Sequence, residues 1–175
     1  MSISADSTVT EVAFEVGNAL AQAGIRAVLS GGGAATIYAP EAYQTRDLDF
    51  ILLSRRASVG PILALGFKPI QGTAMYEHPD IPFTLEFPAG PVAVGDEVIT
   101  EWAVLRDAGR ELTLLTPTDC VRDRLAAAIH WKDWKSVEQA ALVGRNHPID
   151  LKKIEEWCAE EGGTRVFEEF RTLVG

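Results

Sequence analysis

The chain has 175 residues, 47 % of them hydrophobic, enough for one domain with a real core and no covalent staples. Its net charge of −9 argues against a protein that adheres broadly to nucleic acid or to an anionic membrane. No apolar run is long enough to span a bilayer, and residues 1–10 carry no basic residue, so neither a membrane span nor a signal peptide is expected.

The charge is uneven. Residues 1–116 hold 7 basic and 14 acidic side chains, residues 117–146 hold 5 and 4, and residues 147–175 hold 4 and 7. The middle block alone is not net acidic, so a phosphate ligand would find its cations there or at isolated arginines. The two cysteines, Cys120 and Cys158, form no CxxC pair and read as reduced core thiols. The expected location is the cytoplasm.

In chain order, Thr8 and Glu11 form a capping-box pattern, and Val9, Val12, Ala13, Val16 and Leu20 follow at helical spacing up to Gly24. Residues 26–30 read as a short buried strand, Gly31-Gly32-Gly33 as a turn, and residues 34–43 as a helix broken near Pro40. A strand at 48–53 and a helix at 58–65 come next. Strands at 67–71, 74–77 and 83–87 are separated by Gly and Pro turns. Residues 98–106 and 111–115 read as a strand pair joined at Asp107-Ala108-Gly109.

The pattern changes near Leu115. Thr116-Pro117 is a strong helix start, and apolar stripes through Val121, Leu125, Ala128 and then Val137, Ala140, Ala141 follow. Asp150 caps a third helix, and Val166, Phe170 and Leu173 mark a fourth. The expected organisation is an α/β (α+β) core over residues 1–115, its mixed sheet flanked by helices. A helical extension over residues 116–175 packs on it.

The chemistry concentrates where a strand meets Gly31-Gly32 and a helix, followed by Asp47-Leu48-Asp49-Phe50. Glycines admit close backbone approach, and a helix N-terminus favours anions. Residues two apart in a strand share a face, so Asp47 and Asp49 aim together while Leu48 and Phe50 face the core. Two adjacent carboxylates repel unless a cation joins them, and hard oxygens suit Mg²⁺. Glu86, alone among apolar residues at 83–87, is the third candidate acid.

This order of Gly-Gly turn, helix and Asp-x-Asp strand resembles the nucleotidyltransferase fold shared with DNA polymerase beta. It is similar in particular to bacterial nucleotidyltransferase-like proteins related to abortive-infection toxins. Thr45-Arg46 before Asp47 is similar to those relatives, as is the segment from Thr116-Pro117 through Arg124-Leu125 to His130-Trp131-Lys132-Asp133. The likeness covers roughly residues 25–160. The chain departs from the pattern where Gly33-Ala34 replace a Ser after the glycine pair, at Arg124 where Lys is usual, and at Ser136 where a second Asp is usual.

The resemblance implies Mg²⁺-dependent transfer of a nucleotidyl group from an NTP to an acceptor hydroxyl on RNA, protein or a small molecule. Asp47, Asp49 and Glu86 would be the catalytic and metal-binding acids, holding two Mg²⁺ ions. Gly31, Gly32, Arg46, Arg124 and Lys132 would contact the nucleotide. A toxin or phage-defence role, with an antitoxin-type protein partner, also follows from the resemblance. The alternative is a catalytically silent binding or regulatory module on the same fold. His78, His130 and His147 show no metal-ligand spacing, and Ser30 and Cys120 lack a base partner, which sets nucleophilic hydrolysis aside.

Overall fold

The structure is a computed structural model that describes residues 3–41, 45–54, 58–88 and 90–175. Among the described residues, the chain folds as a mixed α/β structure. The helix α1 (Val9–Gln22) opens it, and the expected capping box is present: Glu11 N–H donates to Thr8 Oγ1 while the Glu11 carboxylate accepts from Thr8 N–H. Strand β1 (Ala27–Ser30) runs directly into α2 (Gly31–Tyr38). The glycines expected as a turn therefore form the first turn of the helix. The end of the helix expected to reach residue 43 lies outside the described residues, and α2 itself stops before Pro40, which cannot continue a helix.

The central sheet continues with β2 (Asp47–Leu52), then the short helix α3 (Gly60–Ala64), β3 (Lys68–Pro69), β4 (Met75–His78) and β5 (Ile81–Glu86). The long strand expected at 98–106 divides in two. Glu97–Val98 (β7) pairs with Ala93–Val94 (β6) as a small separate hairpin, and Trp102–Asp107 (β8) pairs with Arg110–Leu115 (β9). Gly95, with a φ of 59°, gives the hairpin its tight Gly95-Asp96 turn, and Ile99 N–H bonds back to Val92 O before the chain reaches Trp102.

The seven-stranded sheet has the order β3-β4-β5-β2-β1-β9-β8. β1 is antiparallel to β2 and parallel to β9, and β2 is parallel to β5. Helices α4 (Pro117–Trp131), α5 (Lys135–Asn146), α6 (Leu151–Glu160) and α7 (Thr164–Val174) follow without further strands. Thr116 caps α4 by accepting from Asp119 N–H, and Asp150 caps α6 by accepting from Lys153 N–H.

Helix α2 joins the two halves. It packs on β2 and on both α4 and α5. Its small residues permit this: Ala34 and Ala35 are buried, and Gly33 lies against Leu29 and Leu48, where an added Cβ would sit 3.0 Å from each. One hydrophobic core runs from Val12 and Leu29 through Leu114 and Leu125 to Phe170. The β6–β7 hairpin is tied to α4 by the fully buried Arg122, which bonds both Glu97 and Asp119 and lies over the Trp157 ring. No helix among the described residues is long and apolar enough to cross a membrane.

Candidate active site

The acids stand on two neighbouring parallel strands. Register pairs Asp47 with Thr84, Leu48 with Leu85 and Asp49 with Glu86. Leu48 and Leu85 are fully buried on the core side, so Asp47, Asp49, Thr84 and Glu86 share the opposite face. On the other side of β2, Ser30 pairs with Asp49 and begins the connection to α2.

Asp49 is the partly buried centre of the group. Burial raises its carboxyl to about 6, and the charges of Glu86 and Asp47 push in the same direction, against the opposing pull of Arg124. Its Oδ2 lies over Gly31, where an added Cβ would sit 2.7 Å away, and Gly31 has a φ of 64°. Close approach and left-handed backbone both require glycine at that position. Gly32 faces the same space: a Cβ there would lie 3.4 Å from Thr45 and 3.6 Å from Arg124 Nη1. Gly33, by contrast, serves the core.

The first turn of α2 has no side-chain cap, and the Ser30 hydroxyl is directed to the Asp49 carbonyl at 3.4 Å. The helix therefore presents uncapped N–H groups beside the acids, an arrangement suited to an anion. Arg124 of α4 closes this space. Its Nη2 lies 3.6 Å from the Cβ position of Gly31, while Nε and Nη2 donate to Asp123 Oδ2 at 3.0 and 2.7 Å. Burial alone would weaken its charged state, but the Asp123 charge and hydrogen bonds outweigh that and raise its pKa.

The other candidate cations are placed differently. Arg46 is exposed at the start of β2, its carbonyl accepting from Thr84 N–H at 2.8 Å. Lys132 ends α4 in a left-handed conformation, and its ammonium donates to Ile129 O of its own helix at 3.2 Å. Eight residues of helix separate it from Arg124, about 12 Å along the axis. The histidines have local partners: Asp80 N–H donates to His78, His130 meets Glu161, and His147 meets Tyr38 O. Both cysteines are buried free thiols whose pKa burial raises.

One further participant carries no sequence signal, and another is named in the sequence only through the family resemblance. The Thr84 hydroxyl donates to Asp47 Oδ1, a pairing visible only once strand register is known. Thr45 accepts from Asp47 N–H and donates to Asp47 O through its hydroxyl, both at 3.2 Å, which fixes the approach to β2 against Gly32. Beside that resemblance, its sequence signal is the Thr-x-Asp spacing of an ST-turn.

Among the described residues, no three carboxylate, imidazole or thiol groups close into a ready metal cluster. The donor chemistry nevertheless fits Mg²⁺. That ion is commonly held by one or two carboxylates, with phosphate oxygens and water completing the octahedron. Asp49 and Glu86, side by side in register, meet that requirement.

A cavity of about 370 Å³ adjoins the Arg124 side, lined by Asp96, Asp123, His130, Trp131 and Glu161 above Ala93, Val94 and Gly95. Trp131 is 76 % exposed there. Cavities of about 450 and 320 Å³ around Arg26 and Trp102 include none of Asp47, Asp49 or Glu86. Size is a poorer guide to chemistry than the convergence of acids, an arginine and an uncapped helix terminus.

No family model matches the sequence, and no curated protein matches it. Among solved structures, the crystal structure of ANT(2")-Ia in complex with adenylyl-2"-tobramycin is similar, with a TM-score of 0.51 and 15 % identity. The match covers 97 % of this chain and 100 % of that one. At that identity the likeness speaks to architecture, and together with the mixed sheet and its flanking helices it establishes an α/β fold of the nucleotidyltransferase type.

Proposed function

We propose that this chain is a Mg²⁺-dependent nucleotidyltransferase that moves a nucleotidyl group from an NTP to an acceptor hydroxyl. The observation that carries the reading is the meeting of Asp49 and Glu86 with the uncapped N-terminus of α2 and with Arg124 across Gly31-Gly32. The α2 amides and Arg124 bind the triphosphate. Asp47, Asp49 and Glu86 would hold the metal ions, whose chemistry would be to neutralise phosphate charge and stabilise the attacking and leaving oxygens. Asp47 can take that role with its Thr84 bond in place, because a carboxylate has about four acceptor sites.

Glu86 accepts the proton of the acceptor hydroxyl, whose oxygen attacks the α-phosphorus; the bond to the bridging oxygen breaks and pyrophosphate departs. Arg46, exposed at the start of β2, and Lys132, bonded to its own helix end, are given no step in this reading. For the acceptor we favour a small hydroxylated amine over RNA or protein. Asp96 and Glu161 supply negative charge to the adjoining cavity, and Trp131 an open aromatic face for a cation. The neighbouring structure holds an adenylylated tobramycin. The toxin role and the antitoxin-type partner rest on sequence resemblance alone and enter no step of this proposal.

The test is pyrophosphate release with each of the four NTPs and Mg²⁺, offering hydroxylated polyamines, RNA and protein acceptors in parallel. Turnover with the polyamines alone supports the whole reading; turnover with RNA or protein alone replaces the acceptor. The second reading is a silent module, favoured by the hydrogen bond that already engages Asp47 Oδ1. It requires no turnover under any of these conditions.

A further inference from the structure

We infer that Asp123 is a positioning residue for the nucleotide, holding the Arg124 guanidinium against the Gly31-Gly32 turn. The inference rests on the nucleotidyl-transfer reading and adds to it the residue that orients its cationic wall. Consecutive residues on a helix diverge by about 100° and do not normally face each other. Here Asp123 nevertheless takes two hydrogen bonds on one oxygen, from Nε and Nη2 of its neighbour. That edge-on hold fixes the rigid guanidinium plane and leaves Nη1 beside Gly32 without a hydrogen bond among the described residues.

The pair is shielded from water, Arg124 being 15 % and Asp123 21 % exposed. Other acceptors nearby are committed. Asp119, one helical turn back, accepts from Thr116, Arg122 and Lys153. Cys120 and Ala127, which flank Arg124 on its own side of α4, are buried and offer no carboxylate. Asp49, which lies against the same glycine, is a further anion within electrostatic reach of Arg124. Released from Asp123, the guanidinium would swing onto Asp49 and occupy the place of the metal.

The sign of the effect separates this role from charge alone. Asp123 is an anion close enough to oppose ionisation of Asp49, so on electrostatics its removal should tighten binding of a triphosphate. A positioning role predicts the opposite. The experiment measures Kd for the NTP that wild type binds best of the four, with Mg²⁺, by titration calorimetry. The proteins are wild type, Asp123→Ala, Asp123→Asn, Arg124→Ala and the double alanine variant, each first checked for an intact melting transition.

Asp123→Ala should weaken binding roughly tenfold, and Asp123→Asn less, because an amide oxygen still accepts from the guanidinium. In the Arg124→Ala background, Asp123→Ala should cause no further loss. Unchanged or tighter binding by Asp123→Ala overturns the inference, as does an equal loss in the two backgrounds. Wild type that binds none of the four NTPs overturns the nucleotidyl-transfer reading itself, and this inference with it.

Discussion

Asp49 is pulled between folding and chemistry. Its carboxyl titrates near 6 in the folded chain because burial and two neighbouring carboxylates disfavour its charge. Between about pH 4 and 6 the native state keeps a proton that the unfolded chain has released, so this group's contribution to stability falls as pH rises through that window. Asp49→Asn should therefore raise stability at about pH 7.5 by about 1–2 kcal/mol, partial exposure screening the rest. Near pH 4 it should change little. Urea denaturation at the two pH values checks both signs; equal stability of wild type and variant at the higher pH would show that Asp49 carries no such penalty.

Gly31 belongs to the same scale. Gly31→Ala places a methyl group against Asp49 Oδ2 in a left-handed backbone conformation, so it should cost about 1–2 kcal/mol in the same assay. The paired facing of Asp47 and Asp49 was legible in the sequence because strand periodicity is a local property. Glu86 was visible as a lone acid in an apolar strand. Thr84 was not, because its bond to Asp47 exists only through the register of two strands distant in the chain.

At the scale of elements, caps and boundaries were largely readable where a local signal exists: Thr8 with Glu11, Thr116 with Pro117, and Asp150. Two elements were misjudged for identifiable reasons. The glycines at 31–33 suggested a turn, yet packing of α2 between β2 and the helical half favours helix from Gly31 onward. Residues 98–106 read as one strand, but Val98 closes the separate β6–β7 hairpin and the sheet strand begins only at Trp102.

That hairpin depends on α4. Arg122 is fully buried between the half-exposed Glu97 and the buried Asp119; its removal leaves Asp119 to Lys153 and Thr116 and opens a cavity beneath the hairpin. Arg122→Ala should cost about 2–5 kcal/mol in chemical denaturation, chiefly through the cavity left by a fully buried side chain. Its double variant with Glu97→Gln should cost less than the two single losses combined, because the residues form one network. Strict additivity would mean that the hairpin is held by packing alone.

At the scale of the molecule, the charge distribution takes on a structural meaning. The block from 117 to 146, the one stretch that is not net acidic, supplies α4, and α4 brings Arg124 across α2 to the strand acids. Sequence alone could nominate the block but not the residue: whether Arg124 or Lys132 faces the glycines depends on how α4 packs on α2, which no local pattern encodes. Lys132 spends its ammonium on its own helix end.

The central claim is that Asp47 and Asp49 bind nucleotide through metal, and a melting experiment tests it most directly. A ligand selective for the native state raises its melting temperature. Wild type should be stabilised by NTP with Mg²⁺, less by NTP with a chelator, and the gain should be larger at about pH 7.5 than at pH 5, where a proton competes for Asp49. In the Asp47→Asn, Asp49→Asn double variant the Mg²⁺-dependent part should vanish. An equal metal-dependent shift in wild type and double variant would place the nucleotide elsewhere and contradict the account.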